Sequence, residues 1–264
     1  MSFSVGKLPF LGITTPQVTA INSPQNITPR FNNNLEADSF ESKNPARYTS
    51  EFMINKLATN NPKLQRILKD SGLEYNLYMD NLNEILAGHC TDTRNIAEGI
   101  VENLPFALES KANLDNIRDA AYLHDIGKVF IPPEILNKSG QLNDAEKELV
   151  HKHSELGYEL LKDSGLDKKV TELIRNHHQD AKRSGYPIVG QNFNADIDLQ
   201  ILSAADKYSA LTEERSYKKP MSREQALTII RADARNGKIN PLIYNALVNY
   251  TDKVALSQTE DAVK

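Results

Sequence analysis

His124 and Asp125 stand side by side in the stretch Ala120 to Lys128, AAYLHDIGK, at the end of an apolar run and just before a glycine and a lysine. An imidazole and a carboxylate adjacent at a helix end can serve one ion each, and the carboxylate can bridge to a second ion if further ligands arrive. The chain has six histidines. Five of them, His89, His124, His153, His177 and His178, lie with Asp125 and Asp206 on or at the ends of segments of helical apolar period, facing the apolar side. Five imidazoles and two carboxylates suffice for two divalent metals bridged by Asp125. A His/carboxylate set without thiolates suits iron, manganese or zinc, with iron or manganese favoured where six-coordinate ions keep open water positions. Two such ions about 3.5–4 Å apart would clamp a hydroxide and a phosphoryl oxygen, the arrangement for in-line hydrolysis of phosphate esters. For the His124-Asp125 pair a helix-end hydrogen bond is the structural alternative, and for His89 a core histidine satisfied by a backbone carbonyl. The sixth histidine, His151, sits about 200° around a helix from His153 and is expected to face solvent.

Helices must carry these residues. From Pro45 onward Phe52, Ile54, Leu57, Leu64, Ile67, Leu68, Leu73, Leu77, Leu82, Ile85 and Leu86 recur at three- and four-residue steps. One helix carries His89, Thr93, Ile96, Ile100 and Leu104 on a single face, and the next spans Asp115 to His124. Asn143 with Glu146 forms a capping-box pattern opening a helix that runs to about Lys162 and ends at Gly165. Val170, Leu173 and Ile174 lead to His177-His178, and Gln179 to Asn194 reads as a loop. A helix with Leu199, Ile201, Leu202, Ala205, Tyr208 and Leu211 carries Asp206; others open at Ser222 and span about Leu242 to Tyr250. No strand-like alternation competes, so the fold class is all-α. The expected divisions are a disordered polar tail over 1–45, an N-terminal helical segment over 46–86, a catalytic domain over 87–252 and a flexible C-terminal tail over 253–264.

With 39% apolar and 25% charged residues the chain can pack a core. Its net charge of −4 favours neither a nucleic-acid polymer nor an anionic membrane. The lone Cys90 excludes an internal disulfide and suits a reducing cytoplasm, and the apolar run Leu8 to Ile13 is too short for a signal or a membrane span. Phe3, Leu8, Phe10 and Leu11 in the Asn/Pro/Ser-rich tail offer a docking motif for a protein signalling partner, against the simpler reading of a solvated segment.

The segment from about His89 to Tyr250 resembles an HD-GYP domain of the HD metal-dependent phosphohydrolases, a helical-bundle family whose members hydrolyse cyclic di-GMP. The motifs are LHDIGK from Leu123, IPPEILNKSGQL from Ile131, HSELG from His153, HH at His177, SGYP from Ser184, ADKYSALTEERSYKK from Ala205 and NGKINPLIYNAL from Asn236, in the family's order and spacing. The resemblance implies that His89, His124, Asp125 and Asp206 hold one metal, and Asp125, His153, His177 and His178 the other. It implies that Lys128 contacts the scissile phosphate or aids the leaving oxygen, and that Arg215 and Lys218 bind the dinucleotide phosphates. A glutamate that recruits a third metal in some relatives is replaced here by Ile85, which favours two. The chain departs from the family at Gln179, where a glutamate is usual, at Lys182-Arg183, where Asp-Gly is usual, and at Ser209, which stands in place of an aspartate. Lys182 and Arg183 could form a new anion-binding rim, and Tyr186 a substrate contact. The substrate expected is a cyclic dinucleotide or a related phosphate ester. Hydrolysis of another nucleotide and a non-catalytic metal- or dinucleotide-binding module are the alternatives.

Overall fold

A computed structural model describes residues 44–214 and 219–261. The polar tail, with its Phe3 to Leu11 motif, lies outside them, as do Arg215 and Lys218. The described residues are helical and contain no strand. After a 3-10 turn at Pro45–Thr49 come α1 (Glu51–Thr59), α2 (Pro62–Asp70), α3 (Met79–Ile85), a π-helical turn (Leu86–Cys90), α4 (Thr91–Glu102) and α5 (Leu114–Leu123). A 3-10 turn at Ile126–Phe130 leads on to α6 (Asp144–Leu161), α7 (Lys168–Asn176), α8 (Ile197–Thr212), α9 (Arg223–Arg235) and α10 (Pro241–Asp261).

Local chemistry sets the helix ends. Asn143 accepts from the Glu146 amide while the Glu146 side chain accepts from the Asn143 amide, so the predicted capping box forms. Ser222 and Gln225 make the same reciprocal pair at the start of α9. Gly165, past the end of α6, takes φ +90°, a left-handed conformation that costs a residue with a Cβ about 1–2 kcal/mol. The last helix continues to Asp261, well past Tyr250, where the apolar pattern ends.

The core is one cluster. Helix α4 lies at its centre against α5, α8 and α10, and α7 packs on α5 and α6. The helices of 46–86 join this same core: α1 and α2 lie on α6, Asn61 Nδ2 donates to the Glu159 carbonyl at 2.5 Å, and Ile54, Leu64 and Leu82 are fully buried. The reason is apolar area: at roughly 25 cal/mol per Å2, each leucine or isoleucine so covered contributes about 2 kcal/mol.

Two backbone features shape what α4 and α5 hold out. The π turn joins α3 directly to α4, where the sequence pattern places a boundary between two segments at 86/87, and the Thr91 hydroxyl donates to the Leu86 carbonyl at 2.7 Å across it. At Gly127 the 3-10 turn meets the backbone of α6 so closely that a Cβ would stand 2.0 Å from the His153 carbonyl oxygen. Only glycine fits there, and this contact brings the chain after Asp125 onto the turn of α6 that carries His153.

Candidate metal centre

His89 projects from the π turn, His124 caps the C-terminus of α5, and Asp125 follows it with φ −96° and ψ 4°, outside the helix. His153 comes from the middle of α6, His177 and His178 follow α7, and Asp206 lies on α8. The structure brings all seven together. His89, His124 and Asp206 form one group whose ligand atoms lie within 4.8 Å of one another, and His153, His177 and His178 form a second.

Asp125 stands between the groups. Its Oδ2 lies 3.5 Å from His124 Nε2 and 3.7 Å from His89 Nε2, and its Oδ1 lies 3.3 Å from His153 Nε2. Asp206 also faces both, with Oδ1 at 3.0 Å from His89 Nε2 and Oδ2 at 3.6 Å from His178 Nδ1.

The donor set fits metal ions on a specific ground. His124 Nδ1 lies 2.8 Å from the Ala121 carbonyl, His153 Nδ1 2.6 Å from that of Val150, and His177 Nδ1 2.7 Å from that of Ile174. A carbonyl only accepts, so in each ring Nδ1 carries the proton and a neutral ring leaves Nε2 a bare lone pair. Two of those lone pairs oppose each other, His153 Nε2 and His177 Nε2 at 3.2 Å, while His178 Nε2 lies 3.2 Å from His153 Nε2 and His89 Nε2 lies 3.3 Å from His124 Nε2. Protonation does not relieve the opposition of His153 and His177, because burial lowers His153 to about 3 and His177 well below its ordinary value, and burial likewise lowers His178 to about 4 and lowers His124. A cation between the rings does. Burial pushes the Asp125 carboxyl up, but Lys128, His124, His153 and His89 outweigh it and hold it well below the carboxylate range. Burial likewise pushes the Asp206 carboxyl up, but its hydrogen bond with His89, together with His178 and His124, outweighs this and holds it well below the carboxylate range. Both therefore stay anionic.

Lys128 is the nearest cation described, its Nζ 2.6 Å from Asp125 Oδ2. Cys90 is fully buried with its sulfur near His124 and Asp125, but burial and then Asp125 hold its thiol well above the ordinary value, so it stays protonated. Cavities of about 370 and 1170 Å3 flank the cluster, and His89, Asp125 and Lys128 line both. The larger also meets Asn81, Asn137, Glu213 and Glu214; the smaller meets Lys207 and Lys238.

The remaining predicted residues are placed differently. Tyr186 stacks on His151 with ring centroids 3.8 Å apart and on His178 at 4.4 Å, forming a lid over the second group. Burial pushes its phenol up, so it stays neutral. His151 is exposed, as its position relative to His153 predicts, yet its ring belongs to this stack. Lys182 and Arg183 do not join the cluster or line either cavity: Lys182 runs along Gly237, and Arg183 donates to the Gln191 carbonyl. Gln179, 2% exposed, clamps the loop by donating from Nε2 to the Pro187 carbonyl and accepting at Oε1 from the Gly185 amide, a pairing that a carboxylate could not make. Residues the motif reading passed over include Ser203, whose hydroxyl donates to the His177 carbonyl, and Glu213, 3.5 Å from His89 Nδ1. The four-residue step from Ser209 to Glu213 was the available signal for the latter.

The HD domain family model matches residues 63–243. Among curated proteins, 3'3'-cGAMP-specific phosphodiesterase 1 of Vibrio cholerae is 33% identical over 143 residues, 52% of this chain and 33% of that protein. A cyclic di-GMP phosphodiesterase of Thermotoga maritima is 31% identical over 148 residues, 55% of this chain and 40% of that one. The chain thus spans well under half the length of these relatives. Among solved structures, an HDG"Y"P protein from Bdellovibrio bacteriovorus superposes with a TM-score of 0.53 at 15% identity, covering 82% of this chain and 67% of that one, a likeness of fold. The HD-GYP resemblance carried by the motifs agrees with these matches, and the protein belongs to the HD domain family.

Proposed function

We propose that the chain is a metal-dependent phosphodiesterase of cyclic dinucleotides, with cyclic di-GMP the first substrate to test and two divalent ions, iron or manganese, as its cofactors. The single observation that carries the reading is the gathering of five imidazoles around Asp125, with the Nε2 atoms of His124, His153 and His177 left unprotonated by their Nδ1 bonds, between a cavity of about 370 Å3 that His177 and His178 line and one of about 1170 Å3 that His89 and Asp125 line. Divalent ions in such a site supply a water activated for in-line attack and charge neutralisation at the phosphoryl oxygens. The chain's own residues do the rest. Asp125 and Asp206 each turn one oxygen to either group, which ties the two groups into one rigid centre. Lys128 Nζ, at the mouth of both cavities, binds a non-bridging phosphate oxygen or gives its proton to the leaving oxygen. Tyr186, neutral and stacked, excludes water above His178. Arg215 and Lys218 remain proposed phosphate contacts, and a cytoplasmic location, resting on the free Cys90, belongs to the same proposal.

The relatives divide between cyclic di-GMP and 3'3'-cGAMP at similar identity, so both belong in the first assay. Protein reconstituted anaerobically with iron or manganese is expected to open a cyclic dinucleotide, and His124→Ala and Asp125→Asn to abolish this. Metal-loaded protein of confirmed stoichiometry that opens none of them would refute the reading.

A further inference from the structure

The imidazoles of the centre are not all held alike. His124, His153 and His177 are each oriented inside their own helical turn, Nδ1–H donating to the carbonyl three residues earlier. His89, displaced onto the π turn, is oriented from another helix. Its Nδ1 lies 3.1 Å from Ser209 Oγ and 3.5 Å from Glu213 Oε2, while its Nε2 faces Asp206 Oδ1 at 3.0 Å and His124 Nε2 at 3.3 Å. Ser209, 2% exposed, and Glu213 are one helical turn apart at the end of α8, where the Glu213 amide donates to the Ser209 carbonyl at 2.9 Å.

A histidine that binds a metal through one nitrogen needs an acceptor for the proton on the other. That acceptor fixes the tautomer and ring plane and raises the basicity of the ligating nitrogen. We propose that Ser209 and Glu213 act together as positioning residues for His89, and that the Glu213 carboxylate sets the affinity of the His89, His124 and Asp206 group for its divalent ion. The inference rests on the dinuclear reading above. Glu213 acts through the ring rather than as a ligand, because its oxygen meets Nδ1, on the opposite side of the imidazole from Nε2. The chain has no carboxylate at position 209, and Glu213 supplies one from the next turn. In the second group His153 and His177 find acceptors within their own helical turns, and His178 Nδ1 faces Asp206, so that group does not depend on Ser209 and Glu213.

The test is binding of Mn2+ to the chelator-stripped full chain, by competition with a chromophoric chelator and by the manganese paramagnetic signal, so that activity is not the readout. Wild type is expected to take two ions. Glu213→Ala and Ser209→Ala are each expected to keep one ion at wild-type affinity and to bind the other roughly 10- to 100-fold more weakly. Ser209→Asp in the Glu213→Ala background is expected to restore that affinity, since a carboxylate there starts from the atom already 3.1 Å from Nδ1. Should Ser209→Ala disturb the core, shown by its melt, the Glu213→Ala variant carries the test, its native side chain being 27% exposed. Unchanged affinities, equal weakening of both ions, or failure of the Ser209→Asp rescue would overturn the proposal. So would a third ion in wild type that Glu213→Ala removes, since Glu213 would then be a ligand. Wild type that binds no ion overturns the dinuclear reading itself, and that failure shows in wild type alone.

Discussion

Acidifying the chelator-stripped protein tests the central claim that the histidines are buried as neutral lone-pair donors. His153, 1% exposed, is lowered to about 3 by burial, against an ordinary value of 6.5. A histidine lowered in the folded state binds its proton more readily when unfolded, so stability falls as pH drops from the unfolded value toward the folded one. Between about pH 7.5 and about pH 5 this costs about 2 kcal/mol for His153. His178, lowered to about 4 but with its side chain 27% exposed, adds about 1 kcal/mol after allowing for solvent screening. Asp125 and Asp206, held well below the carboxylate range, lose their contribution only below their unfolded values and stay out of this window. Asp119, raised to about 6 by burial, has the opposite sign and returns about 1 kcal/mol over the same range. These three groups together lose about 2 kcal/mol, or about 3 kcal/mol in Asp119→Asn, and the lowered His124 and His177 deepen both losses. Urea denaturation followed by helical circular dichroism at several pH values reads this directly. A metal-free protein equally stable at both ends of the range, in both backgrounds, would refute the argument.

Three further outcomes follow from single contacts. Lys128→Met is expected to lower kcat roughly 100-fold with both ions retained, as measured by metal content beside turnover, because under the proposed function it removes the cation beside Asp125 that meets the phosphate and no ligand. Gly127→Ala places a methyl 2.0 Å from the His153 carbonyl oxygen and is expected to cost about 3 kcal/mol by urea denaturation, with loss of metal as α6 is pushed away. Gln179→Glu sets a carboxylate against the Pro187 carbonyl and is expected to cost about 1–3 kcal/mol; unchanged stability at neutral pH would show that the clamp contributes nothing.

Legibility varied with the range of the physics involved. Helix ends written in local chemistry, such as the Asn143 and Glu146 pair, appeared where the residues predict them. The N-terminal helices were legible as helices but not as part of the same core, because the burial of Ile54 and Leu64 depends on distant partners. The π turn was not legible, since a one-residue expansion leaves the apolar spacing of α4 intact. The charge of Lys182 and Arg183 allowed either an anion-binding rim or neutral drift, and their actual placement, along Gly237 and on the Gln191 carbonyl, was not legible because it depends on the fold of the loop clamped by Gln179.

The sequence by itself determined the all-α class, the seven candidate ligands and the absence of a thiolate pair, because composition and periodicity are properties of residue type and spacing along the chain. Only the tertiary structure decided that five imidazoles face one another at hydrogen-bond distances with their other nitrogens mostly tied to backbone carbonyls. It alone set Asp125 between the two groups and put Glu213 behind His89. These are relations of orientation between helices far apart in sequence. They are fixed by how side chains interlock when the core closes, which spacing along one helix does not encode.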